Sequence, residues 1–130
     1  MANLHMLMEI GVDTDEGLAC CADDVEFYEE MLKEYVSESK TGLDELNRFY
    51  TMQDWEHYGI RAHTTKSTSR MIGAVSFSEI AREMEFAAKE GRAEAIIMNH
   101  ASFVSGYQQL VDGIQKLRSE ERRVGKECRS

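Results

Sequence analysis

The 130-residue sequence contains no proline. Proline punctuates turns and edge strands and breaks helix interiors, so its absence favours long uninterrupted helices over short strands joined by tight turns. Eight methionines and a 30% share of charged residues fit that preference, because unbranched and charged side chains lose little freedom in a helix. The length suits one compact domain with a sizeable core, not two.

Apolar spacing supplies the elements. Val25, Tyr28, Leu32, Tyr35, Gly42 or Leu43, Leu46 and Tyr50 recur at helical intervals, predicting a first long helix from Asp23 to about Gln53. Asp23 and Glu26 have the spacing of a capping box, and the glycine of Lys40–Gly42 predicts a bend. Asp54 caps a second helix with an inward stripe of Trp55, Tyr58, Ala62, Thr65 and Ser69, ending near Gly73. Ser76 and Glu79 form another capping box before Phe77, Ile80, Met84 and Ala87 or Ala88, with Gly91 closing that third helix. The fourth stripe, Ile96, His100, Phe103, Tyr107, Leu110, Ile114 and Leu117, alternates steps of four and three, as in near-parallel helix packing. Short connections make neighbours antiparallel. The expected fold is all-α: an up-down-up-down four-helix bundle, with Asp13–Ala22 as a short extra N-terminal helix.

Residues 118–130, RSEERRVGKECRS, lack apolar periodicity and resemble the translation of a sequencing adapter, so they read as a non-native tail. The competing reading is a solvated basic tail that binds something acidic. Setting aside its five basic and three acidic residues leaves 10 against 21, and a net charge of −11 for the domain at residues 1–117. Such a surface repels nucleic acid and anionic lipid. No apolar run is long enough to span a bilayer and no signal peptide is apparent. Cys20, Cys21 and Cys128 have neither disulfide-framework nor zinc spacing. A cytoplasmic location is expected.

The histidines decide what chemistry is open. None has a glutamate three residues before it, which removes the Glu-x-x-His pairs of a di-metal bundle; no metal ligands are expected. His100 lies on the apolar stripe and reads as a core histidine, and neither His5 nor His57 suggests a site. His63 falls mid-helix, with Lys66 one turn on and Arg70 a turn beyond. Imidazole is largely neutral and nucleophilic at pH 7 while lysine stays charged. Together they suit a phosphoryl group, the ring attacking and the cations offsetting charge on oxygen. Arg70 either extends this stripe or pairs with a nearby surface carboxylate. A histidine with a lysine at the next turn is common by chance; the surrounding pattern gives it weight.

Residues Ala62–Ala74, AHTTKSTSRMIGA, resemble the signature of histidine-containing phosphotransfer (HPt) domains: a histidine, a lysine three residues later beside a small residue, and a glycine ten after the histidine. Gly11–Leu18, Phe27–Leu32, Asp54–Trp55 and Phe86–Gly91 are also similar to that family, extending the resemblance over about residues 10–117. It implies the same four-helix bundle, His63 as phosphoacceptor between receiver-domain aspartates in a multistep phosphorelay, and Lys66 as stabiliser of the phosphohistidine. Arg70 is a further candidate for that role. Gly59, Ile60, Thr64 and Ser67 lie within a turn of His63 and would form the docking face, with Ile60 partly exposed. The implied partners are receiver domains of response regulators and hybrid histidine kinases. The implied protein is a monomeric carrier with no kinase activity and no cofactor of its own, any divalent metal residing on the receiver. Two positions depart from the family pattern: Ser67 replaces the usual glycine, and Thr65 an apolar residue. The alternative is an HPt-like interaction module that binds a kinase or regulator without carrying phosphate.

Overall fold

A computed structural model describes the backbone of residues 7–129 and the side chains of residues 7–117. After a 3-10 turn at Met8–Ile10 come α1 (Thr14–Cys20), α2 (Val25–Met52), α3 (Trp55–Met71), α4 (Val75–Lys89) and α5 (Ala93–Arg129). The described residues contain no strand. The four long helices pack in a ring, α2 on α3, α3 on α4, α4 on α5 and α5 back on α2, with two- or three-residue connections between them. This is the expected bundle, with α1 as the extra N-terminal helix. No helix among the described residues is long and apolar enough to cross a membrane.

The core follows the predicted stripes closely. Tyr28, Leu32, Tyr35 and Leu46 of α2 meet Tyr58 and Ala62 of α3, Ala81 and Met84 of α4, and Ile96, Phe103, Tyr107 and Ile114 of α5. The polar members of the α3 stripe are also buried: Ser69 Oγ is 2.7 Å from Tyr35 Oη, and Thr65 is fully buried. Arg61, beside them, is paired with Glu38 and lies 3.4 Å from Glu45 of α2. α2 runs uninterrupted through Gly42. A Cβ there would meet Arg61 Nη2 at 2.7 Å and Tyr107 Oη at 2.9 Å, so Gly42 makes room for a close interhelical contact.

Two caps differ from expectation. Ala22 and Asp23 both take left-handed backbone (φ 54° and 59°) in the turn after α1, a conformation aspartate tolerates. Asp24 therefore caps α2, its carboxylate accepting the Phe27 amide. α4 begins at Val75, ahead of Ser76, and its cap Ala74 makes no side-chain bond. Ala74 is completely buried, so packing fixes that start. Gly73 precedes it at φ 90°, donates nothing to a side chain, and accepts the Asp13 amide through its carbonyl at 2.7 Å. A Cβ at Gly73 would run into the Asp13 carbonyl. Tyr28 Oη donates to the Ile72 carbonyl at 2.8 Å, and so α1 and α2 together lock the α3–α4 turn. Ile80, placed on the inward stripe of the third predicted helix, is exposed.

Candidate functional site

α3 is capped as predicted, with the Asp54 carboxylate accepting the His57 amide. Its buried face carries Gly59, Ala62, Thr65 and Ser69. Such small residues let α4 approach: a Cβ on Gly59 would stand only 3.0 Å from the Ala88 Cβ. Gly59 is consequently buried, a floor residue of the site and not an exposed one.

Opposite α3, the buried face of α4 presents a carboxylate. Glu85 is 1% exposed and collects three cationic or potentially cationic partners. His63 Nδ1 lies 2.9 Å from Oε2, Lys66 Nζ 3.0 Å from Oε1, and Lys89 Nζ 2.8 Å from Oε2. Burial raises the Glu85 carboxyl, but hydrogen bonds from Lys89, Lys66 and His63 outweigh it and hold it down at about 2. The group is an anion at neutral pH. An ionised carboxylate can only accept, so His63 Nδ1 carries the proton and donates it. Nε2 is then the nitrogen with the free lone pair. The ring is 56% exposed, anchored on one edge and open on the other.

Around it runs a groove between the N-terminal half of α3 and the C-terminal half of α4, lined by Trp55, Gly59, Ile60, His63, Glu85 and Ala88. Ile60 is 59% exposed. Thr64 is half-buried and Ser67 exposed on the same side of α3. Lys66 lies one turn beyond His63 and is tethered to Glu85. Arg70 is two turns away, about 10.5 Å along the axis at 1.5 Å per residue. Among the described residues Arg70 makes no ion pair.

The other histidines have structural partners. His100 Nδ1 is 2.8 Å from Tyr58 Oη and its Nε2 is 2.9 Å from Asn47 Oδ1, with Tyr50 stacked on the ring at 3.9 Å. Burial lowers its pKa, making it the satisfied core histidine the sequence suggested. His57 pairs with Asp54 at 2.7 Å. His5 lies outside the described residues. Among the described residues no three His, Cys, Asp or Glu side chains are placed to hold a metal ion.

Glu85 and Lys89 were not singled out from the sequence. The signal was present: Glu85 occupies a position flanked at helical spacing by Ala81 and Ala88, both buried, where a charge requires a partner. The family model of the Hpt domain matches residues 30–120. The chain belongs to the Hpt domain family. That match spans most of the bundle and includes His63, Lys66, Glu85 and Lys89. Hpt domains are phosphocarriers in histidine phosphotransfer and interact with the receiver domains of response regulators and kinases. No curated protein and no solved structure matches this Hpt domain.

Proposed function

We propose that His63 is the phosphoacceptor of this Hpt domain, taking a phosphoryl group from one receiver aspartate and passing it to another. The observation that carries this reading is the 2.9 Å contact between His63 Nδ1 and the buried Glu85 carboxylate, which fixes the tautomer and aims Nε2 outward. In the forward step the Nε2 lone pair attacks phosphorus, the N–P bond forms, and the P–O bond to the receiver aspartate breaks. The aspartate leaves as carboxylate and no proton need move. The ring, still protonated at Nδ1, becomes cationic, and Glu85 offsets that charge. Lys66 is near enough to neutralise phosphoryl oxygens, and Lys89 keeps Glu85 paired if Lys66 turns toward them. Transfer onward is the reverse step with a second aspartate.

Positioning and electrostatics are most of what phosphoryl transfer requires. Any divalent metal belongs to the receiver. Ile60, Thr64 and Ser67 would meet the receiver above the groove, with Gly59 beneath them. The domain acts as a cytoplasmic monomer without kinase activity or a cofactor of its own. Serine at 67 adds one small hydroxyl where a receiver loop would approach, which bears on receiver choice and leaves the histidine chemistry intact.

The test is transfer of label from a panel of phosphorylated receiver domains to wild-type protein and to His63→Gln. Acid-labile, base-stable label on the wild type alone is expected. Absence of label from every receiver, with the fold intact and receiver binding retained by His63→Gln, would establish a pure interaction module instead.

A further inference from the structure

A second groove follows the His63 groove along the same pair of helices. Past Lys66 it follows the C-terminal half of α3 and the N-terminal half of α4, lined by Lys66, Ser67, Arg70, Ser78, Glu79 and Arg82, with Cys20 of α1 at its end. Three cations and one carboxylate line it, Lys66 being tethered to the buried Glu85, in a domain whose residues 1–117 carry −11. Glu79 is 3.5 Å from Arg82, and Arg70 has no ion pair among the described residues. Ser78 Oγ donates to the Val75 carbonyl at 2.7 Å and the Arg82 guanidinium also lies over the Phe86 ring, so Arg70 is the groove's unpaired cation among the described residues.

We propose that this basic groove is a docking site for an acidic edge of the receiver that exchanges phosphate with His63, and that it selects receivers by charge. The inference rests on the carrier reading above. Arg70 is two turns from His63 on α3, well placed for a partner seated over His63. Arg82 is one turn before Glu85 on α4, which puts the two arginines on opposite walls of one groove. An acidic partner is repelled by most of this domain, so only an orientation that lays its carboxylates in the groove is favoured. Rim charges of this kind govern encounter rate and its salt dependence more than the lifetime of the complex. Guanidinium also presents paired donors that match a carboxylate.

The experiment uses the full chain and whichever phosphorylated receiver labels the wild type, measuring the second-order transfer rate from about 20 to 300 mM salt. At low salt Arg82→Glu should lower that rate at least about tenfold and flatten its salt dependence. Arg82→Lys should stay within about threefold of wild type, since the charge remains. Arg70→Gln supplies the same test from the other wall should Arg82→Glu melt early. Rates and salt slopes equal to wild type in Arg82→Glu and Arg70→Gln overturn the docking proposal and leave the carrier reading standing. A loss shared by Arg82→Lys, or one with an unchanged salt slope, marks a structural role and also overturns it. No label on the wild type from any receiver overturns the carrier reading, and the proposal with it.

Discussion

Glu85 is a buried anion surrounded by His63, Lys66 and Lys89, and each of those side chains depends on it differently. His63 obtains its orientation and tautomer from it, Lys66 a tether, and Lys89 a one-turn ion pair on the same helix. The carboxyl sits at about 2 in the folded protein against an ordinary 4.5. Its contribution to stability is therefore complete above about pH 4.5 and is lost as the pH falls toward about 2, on the order of 3 kcal/mol in all. Urea titrations across that window should show a steeper acid loss for wild type than for Glu85→Gln. The amide keeps an acceptor for His63 Nδ1 but leaves the cationic phosphohistidine uncompensated, so the same variant should transfer phosphate more slowly. Equal pH slopes would remove Glu85 from the acid sensitivity of the fold. Lys66→Ala leaves Glu85 with two partners. It should cost about 1 kcal/mol, more than an exposed lysine would, because a charged hydrogen bond to a buried group is lost; thermal melts and labelling rates of that variant check both effects.

The α3–α4 pair sets the distance between His63 and Glu85, and Gly59 faces Ala88 across that pair, where an added Cβ would stand 3.0 Å from the Ala88 Cβ. Gly59→Val would force the helices apart or push Ala88 aside. Overpacking of that kind costs about 1–3 kcal/mol, although losing a mid-helix glycine returns part of it. The variant should melt earlier and accept phosphate more slowly from every receiver alike, since the fault lies under the site and not at its rim. Unchanged transfer at a lowered melting temperature would show that the His63–Glu85 contact tolerates a wider helix spacing. Helix starts follow a similar logic. Asp54 caps α3 as its sequence position suggests, one carboxylate oxygen accepting the His57 amide while the other meets the His57 ring. Asp23 fails to cap α2 because the preceding turn needs it in left-handed backbone, and Ser76 fails to cap α4 because buried Ala74 fixes the start earlier.

For the molecule as a whole, the bundle was legible because each long helix buries one stripe and the stripes are written at fixed spacing. The α5 positions Ile96, His100, Phe103, Tyr107, Leu110 and Ile114 are all buried. His63 and Lys66 were legible because they share one helix and one spacing. Glu85 was legible only as a charge on a buried stripe, since its partners His63 and Lys66 reach it across an interhelical contact that no local pattern encodes. The basic groove was also hidden, because Arg70 and Arg82 are brought together only by the antiparallel pairing of α3 and α4. At the other end of the chain, sequence and family match bear on the same boundary. The apolar stripe of α5 ends with Leu117, which packs against the core, and the Hpt match stops at residue 120. The last thirteen residues add a net charge of +2 but no apolar spacing. Truncation after Leu117 should therefore leave the melting temperature within a few degrees of the full chain, where about 1 kcal/mol corresponds to some 4 °C at this size. Phosphate transfer to His63 should be equally unaffected. A larger drop in melting temperature would make residues 118–130 a working part of the last helix, and a selective loss of transfer would make them part of the docking surface.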